Sequence, residues 1–376
     1  PTPFGLVRGG VAPDHYHTRA IIAGFEKVAA HENFRFFGNV EIGRTLPFSR
    51  LREFYDAVVL ACGMETGRRL GIPGENLAGC HDAIAFAGWY NGHPAYRNTY
   101  FNLSHETAVV IGAGNVATDM ARMLTRSIEE LRRTDIAGHA FGELAGSRIK
   151  EVQIVGRRGP AQAKFTYSEL KEFANLPNAQ CVMDPADLVL NEADEKELED
   201  PAVRRLVELL RSFPAEAPPS DKRCIRFRFH LSPVSIDGPG EVASVLFEKS
   251  TLHGEPFQQA ARGTGEVCQV PTGLVLRSVG YRGVHLAGVP SDPRHGTVPN
   301  VEGRVTEDGV EIPGLYVVGW LKRGARGVIG LNRTDSMPVV KHLLDDIPQL
   351  TPAAIPDSDA LERELEERGV AVVRWQ

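Results

Sequence analysis

Residues 107–124 read T-A-V-V-I-G-A-G-N-V-A-T-D-M-A-R-M-L. A short apolar, β-branched run leads into Gly112-Ala113-Gly114-Asn115-Val116-Ala117, and apolar residues at helical spacing follow. That order constrains the chain to strand, tight turn and helix, the phosphate-binding element of a dinucleotide fold, with alanine in the third glycine position. Gly112 permits the turn, Gly114 lets the main chain approach a pyrophosphate, and Ala117 keeps the helix close to the strand. The helix start supplies free N–H groups and partial positive charge.

A second apolar strand, Glu151-Val152-Gln153-Ile154-Val155, ends in Gly156-Arg157-Arg158. An NAD site usually places an acid there. Two planar, permanently charged guanidinium groups suit a ribose 2′-phosphate instead, so the pattern predicts NADPH. Arg157 lies 45 residues after Gly112, where a simple unit puts its ribose contact roughly 20 residues on. An insertion of about the length of Ser127 to Arg148 accounts for the difference. The competing reading is a glycine turn in an ordinary α/β core beside a solvated arginine pair.

The bulk numbers narrow the partners. The 376 residues suffice for two domains, and a net charge of −6 gives no bulk attraction to nucleic acid or anionic membrane. Five cysteines are scattered without a C-x-x-C, which argues against a disulfide scaffold, a zinc site or a redox dithiol, and no metal site is expected. No apolar run reaches membrane-spanning length and no signal peptide opens the chain, so a cytoplasmic location is expected. The chain opens at Pro1 on a loop-like stretch and closes in a strand-like run, so both ends are expected to be cut from a longer product.

Periodicity predicts helices over 18–32, 48–54, 168–175, 200–212, 328–346 and 357–369. Strands are expected over 34–42, 56–63, 274–279 and 313–320, with antiparallel strands over 226–231 and 242–252. The acidic stretch 192–200 and the Pro/Ala-rich 214–220 read as solvated connectors. Strands ending in glycine on both sides of the nucleotide unit predict nesting. One domain over 105–273 is inserted into a second built from 1–104 and 274–376.

A series of longer signatures resembles the adrenodoxin reductase family of NADPH–ferredoxin reductases over nearly the whole chain. They are Pro3-Phe4-Gly5-Leu6-Val7-Arg8, Gly10-Val11-Ala12-Pro13-Asp14-His15, Gly38-Asn39-Val40-Glu41-Ile42-Gly43 and Gly88-Trp89-Tyr90-Asn91-Gly92. Val155-Gly156-Arg157-Arg158-Gly159-Pro160, Phe165-Thr166 with Glu169-Leu170, and Pro299-Asn300-Val301-Glu302-Gly303-Arg304 follow. Gly319-Trp320-Leu321-Lys322-Arg323-Gly324, Gly327-Val328-Ile329 and Thr334-Asp335-Ser336 complete the set.

The resemblance implies an α/β fold of two Rossmann-like dinucleotide-binding domains, the NADP domain inserted into the FAD domain. The first FAD-binding βαβ unit, expected before Pro1, is missing. It further implies that Gly112, Ala113, Gly114, Asn115 and Val116 hold the NADP pyrophosphate and that Arg157 and Arg158 take the 2′-phosphate. Glu169 is placed at the nicotinamide carboxamide, Leu6 and Ile42 along FAD, and Trp320, Gly327, Val328 and Ile329 at the flavin. His15, Asp119 and Glu169 are the implied proton-relay or nicotinamide-orienting groups. Plainer roles compete: a loop histidine, a helix-dipole acid, a surface acid, and a core tryptophan at 320. Electrons are expected to pass to a ferredoxin or similar small acidic iron–sulfur protein, docked on Arg204, Arg205 and Arg211 or on Lys322, Arg323 and Arg326. Two other readings remain: a flavin-bearing subunit similar to the small subunit of glutamate synthase, and a non-catalytic NADP-binding module.

Overall fold

The strand Thr107–Ile111 shows how the chain builds its core. Successive side chains on a strand point to opposite faces. Ala108 and Val110 enter one apolar cluster and Val109 and Ile111 enter another, all of them buried. Leu274 and Leu276 divide from Val275 in the same way. A run apolar on both faces suits a central parallel strand with a covering layer on each side.

The computed structural model describes residues 3–219, 221–327 and 329–375. The chain divides into two units, one of residues 9–16 and 69–279, the other of 1–8, 17–68 and 280–376. In the first, six strands pair in parallel in the order Cys80–Asp82, Leu274–Arg277, Thr107–Ile111, Glu151–Val155, Arg223–Arg228, Ala179–Met183. Helices Ala83–Tyr90, Asn115–Thr125, Tyr167–Phe173 and Pro201–Arg211 contribute to the larger cluster. An antiparallel meander, Leu231–Asp237, Ser244–His253 and Ala260–Pro271, supplies the smaller one through Leu231, Ile236, Val245, Phe247 and Val270. Residues 127–148 form the helices Ile128–Leu131 and Gly138–Ala145, whose Leu131, Ala140 and Leu144 join the larger cluster. This insertion sets the long spacing between the glycine turn and the arginine pair.

The second unit carries a four-stranded sheet in the order Val58–Leu60, Val310–Val317, Arg304–Glu307, Asn300–Val301. The first pair is parallel and the rest antiparallel. Phe48, Leu60, Val305, Leu315, Val317 and Leu321 form its main core. The 17-residue helix Gly330–Asp346 follows the last strand.

Local expectations differ from the structure in several places, and the helix expected over 18–32 is broken into Tyr16–Arg19 and Ile22–Ala29. Residues 34–42 make only isolated bridges, at Gly38 and Ile42, because Asn39 and Gly43 take left-handed conformations that break a strand. The expected antiparallel strand 226–231 is split. Arg223–Arg228 joins the parallel sheet, His230 turns the chain at φ 55°, and Leu231 begins the meander. The acidic stretch is not a solvated connector: it forms the helix Glu192–Glu197, with Asp194 1% and Glu197 2% exposed. Among the described residues, no helix is long and apolar enough to cross a membrane.

Candidate active site

The glycine turn joins Thr107–Ile111 to the helix Asn115–Thr125, with Gly114 as N-cap. Gly112 and Gly114 are glycines for different reasons. Gly112 has φ 135°, and a Cβ there would lie 2.1 Å from the Ser278 carbonyl oxygen, so the fold itself forbids a side chain. At Gly114 a Cβ would meet only Lys164 Cβ, at 3.8 Å. The protein leaves that space open, as a cradle for a ligand approaching the main chain requires. Ala117 is fully buried under the turn.

A second loop clamps this turn. Lys164 N–H donates to the Ala113 carbonyl at 2.7 Å, and Thr166 N–H donates to Asn115 Oδ1 at 2.7 Å. Thr166 then caps the helix Tyr167–Phe173 through its side chain. Asn115 therefore ties the phosphate-type turn to the helix that presents Glu169. Val116 packs partly buried against the core. After the strand Glu151–Val155, Arg157 is exposed and Arg158 half-buried. Burial pulls the Arg158 pKa down, as does the neighbouring Arg157 charge, while Glu197 opposes both. The loop thus places two cations side by side, with Glu197 partly offsetting their repulsion.

His15, Asp119 and Glu169 come together around one buried cation, Arg122, which the sequence pattern does not reveal. Arg122 is 0% exposed. Its Nε donates to Asp14 Oδ2 at 2.5 Å, and its Nη2 donates to Asp14 Oδ1 at 3.1 Å and Asp119 Oδ1 at 2.6 Å. Nη2 also lies 2.5 Å from His15 Nε2. Arg126 Nε donates to Asp14 Oδ2 at 2.8 Å. His15 Nε2 is 3.5 Å from Glu169 Oε2 and 3.8 Å from both Asp119 and Glu172. The segment carrying His15 is anchored by Ala12 in the core and by Asn91 Nδ2, which donates to the Val11 carbonyl at 3.1 Å. The two signatures Gly10–His15 and Gly88–Gly92 thus meet in space.

The carboxyls are driven apart. Burial works to raise Asp14, but the Arg122 hydrogen bond and the charges of Arg122 and Arg126 hold it below its ordinary value. Burial lifts Asp119 above its ordinary value against the pull of Arg122 and His15. Burial lifts Glu169 too, with Asp119 and Glu172 pushing the same way and His15 opposing. One acid is held below its ordinary range and two are lifted above theirs, so the environment separates the proton affinities of the three carboxyls around Arg122. Glu169 Oε2 is buried with no hydrogen-bond partner among the described residues, so it is open to an incoming N–H donor. His15, Glu169 and Glu172 also bring ligand-type atoms within 4.8 Å of one another. The Arg122 guanidinium against His15 Nε2 opposes a cation there.

In the other unit, the strand Val310–Val317 runs into Gly319, at φ 69°, and the short helix Trp320–Arg323. Asp335 accepts the Gly319 N–H at 2.7 Å and Lys322 Nζ at 3.0 Å. Arg323 lies 3.7 Å from the same carboxylate, so two of the expected docking cations are already engaged, while Arg326 is exposed. The Trp320 ring stacks on Tyr281 at 5.4 Å, and its Nε1 is buried with no hydrogen-bond partner among the described residues. Leu6 is 43% exposed and Ile42 half-buried. Gly327 takes φ 79° and Ile329 caps the helix Gly330–Asp346, while Val328 lies outside the described residues. Arg204, Arg205 and Arg211 stand on the exposed face of Pro201–Arg211, opposite buried Leu206, Val207 and Leu210.

No family model matches the chain. NADPH-ferredoxin reductase FprA of Mycobacterium tuberculosis is 44% identical over 348 residues, covering 92% of this chain and 75% of the relative. The mitochondrial NADPH:adrenodoxin oxidoreductase of Homo sapiens is 43% identical over 390 residues, covering 100% of this chain and 78% of the relative. The structure of Mycobacterium tuberculosis FprA in complex with NADPH matches with a TM-score of 0.92 at 42% identity, covering 100% of this chain and 83% of that one. Glycine turn, arginine pair and acid–histidine cluster thus sit on a fold that matches FprA over the whole of this chain, and the chain belongs to the NADPH–ferredoxin (adrenodoxin-type) reductase family.

Proposed function

We propose that this chain is an FAD-dependent NADPH:ferredoxin oxidoreductase. Membership of the family carries the proposal, and the open cradle at Gly114 beside the clamped Asn115 is the local observation that supports it most. A bound FAD would supply the acceptance of hydride from NADPH and the onward release of single electrons to an iron–sulfur protein. The protein's own part is binding, orientation and electrostatics.

In this reading the unit containing 105–273 takes NADPH, and the unit built on Val58–Leu60 and Val310–Val317 takes FAD. Gly112 to Val116 bind the pyrophosphate through main-chain N–H groups at a helix start. Arg157 and Arg158 pair with the 2′-phosphate. Glu169, whose buried Oε2 has no hydrogen-bond partner among the described residues, accepts from the carboxamide N–H₂ of the nicotinamide. His15 and Asp119 hold Glu169's surroundings and supply a proton reservoir, and Arg122 fixes both. Leu6, Ile42, Trp320, Gly327 and Ile329 border the flavin. The orphaned Trp320 N–H and the exposed Leu6 fit a polar-edged aromatic ligand. Arg204, Arg205, Arg211 and Arg326 offer exposed positive charge to a small acidic iron–sulfur protein.

The test is steady-state reduction of a ferredoxin by NADPH with the FAD-loaded protein. Ferredoxin reduction that needs both flavin and NADPH supports the assignment. NADPH binding with no electron delivery to any iron–sulfur acceptor points instead to a binding module.

A further inference from the structure

The arginine loop is held in an unusual way. Gly156 N–H donates to the Arg228 carbonyl at 2.8 Å, and the Gly156 and Arg158 carbonyls accept from Leu231 and His230 N–H at 3.1 Å each. The fourth tie is a side chain: Gly159 N–H donates to Gln162 Oε1 at 3.1 Å. Gln162 is 5% exposed, and its Nε2 donates to Asp194 Oδ1 at 2.6 Å. A side-chain amide can face its oxygen or its nitrogen to a given neighbour. An ionised carboxylate accepts only, so Asp194 draws Nε2 to itself and turns Oε1 toward the loop.

Asp194 is itself fixed. Its Oδ1 also accepts from Gln259 Nε2 at 2.7 Å, and its Oδ2 from Asn191 N–H at 3.0 Å. Gln259 Nε2 further lies 3.1 Å from Glu197 Oε1, which accepts Phe257 N–H at 2.7 Å. Two buried carboxylates therefore share one amide, and neither forms an ion pair among the described residues. Burying charge without a counter-ion is costly, so their placement calls for a cation nearby. The Arg158 guanidinium feels Glu197, which offsets the repulsion of Arg157.

We infer that Gln162, Asp194, Glu197 and Gln259 are positioning residues that set the Arg157–Arg158 loop and with it the preference for a 2′-phosphorylated dinucleotide. The inference rests on the assignment of Arg157 and Arg158 to the 2′-phosphate. The acidic stretch 192–197 then serves cofactor choice from behind the loop, with no contact to the ligand.

The experiment compares Gln162→Leu, Asp194→Asn and the double variant Arg157→Ala/Arg158→Ala with the parent. Two readouts are used: calorimetric titration with adenosine 2′,5′-bisphosphate and with adenosine 5′-monophosphate, and KM for NADPH and NADH in the FAD-loaded protein. Gln162→Leu and Asp194→Asn are each expected to weaken the bisphosphate and raise the NADPH KM about tenfold, as loss of one well-placed polar contact gives. The monophosphate, the NADH KM and kcat should stay within about twofold, an order below that effect. Equal weakening of both nucleotides, or of neither, overturns the inference. If the double arginine variant also leaves the two nucleotides undiscriminated from the parent's ratio, the 2′-phosphate assignment itself fails. If that variant loses the discrimination and the other two keep it, only the positioning role fails. Gln162→Leu removes no charge and carries the test should Asp194→Asn not fold.

Discussion

The glycine-turn cradle and the charge cluster around Arg122 lie in the same unit but are built by opposite means. The cradle's ligand-facing residues are contiguous. Gly112 to Ala117 form one turn and Arg157 and Arg158 follow one strand, although Ser278, Lys164 and Thr166 back the turn from elsewhere. The cluster is assembled from a distance: His15 and Asp14 from a loop near the start, Asp119 and Arg122 from one helix, Glu169 from another. Changes at the cradle's open, ligand-facing positions are expected to fail at the ligand and not in the fold. A cluster assembled across the fold fails in stability and function together, because its charges are one another's solvent.

The sharpest way to break this contrast is the double variant Arg157→Ala/Arg158→Ala. Two charge-assisted contacts at about 2 kcal/mol each predict an NADPH KM about a thousandfold higher, with NADH nearly unchanged. Steady-state kinetics with both cofactors decide it, and equal losses would remove the 2′-phosphate reading.

Next comes the pair Gly114→Ala and Gly112→Ala. Gly112→Ala should destabilise the protein by several kcal/mol, since its Cβ would collide with the Ser278 carbonyl in a left-handed backbone. Gly114→Ala should leave the Tm within about 2 °C, as a change of well under 1 kcal/mol gives, and weaken NADPH binding. A parallel fall in Tm for both would show that Gly114 serves the fold as well.

The cluster is probed by Asp14→Asn. Asp14 is held below its ordinary pKa, so its contribution is complete above the ordinary carboxylate range and is lost as pH falls through the depressed value. The variant strips Arg122 of its main partner and should lose about 3 kcal/mol at pH 7. Denaturant midpoints for variant and parent should converge as the solution is acidified through and below the carboxylate range. A gap independent of pH would mean the loss is one of packing and not of charge.

The smallest effect is expected at the surface. Arg204→Glu with Arg205→Glu should slow ferredoxin reduction several-fold at low salt and little at high salt, as exposed charges are screened. Insensitivity at low salt would move the docking face elsewhere.

What the sequence shows of this molecule follows the same division. The strand–turn–helix, the arginine pair and the strands apolar on both faces are legible because their signals are periodic or contiguous. The split at His230 is hidden, since a single left-handed residue redirects an apolar run from one sheet to another. Arg122 is hidden because an arginine within an amphipathic helix looks solvated; only the fold shows that its neighbours are Asp14 and His15. A run of acids such as 192–200 likewise looks exposed, yet a capping box at Asn191 turns Asp194 inward to meet Gln162.

The central claim is that this chain draws hydride from NADPH into a flavin. The most direct test is the absorbance of the purified protein after adding FAD and then NADPH without oxygen. The account predicts flavin bands that bleach with NADPH, far more slowly with NADH, and return when an oxidised ferredoxin is added. Flavin that stays oxidised while calorimetry shows NADPH bound would contradict it.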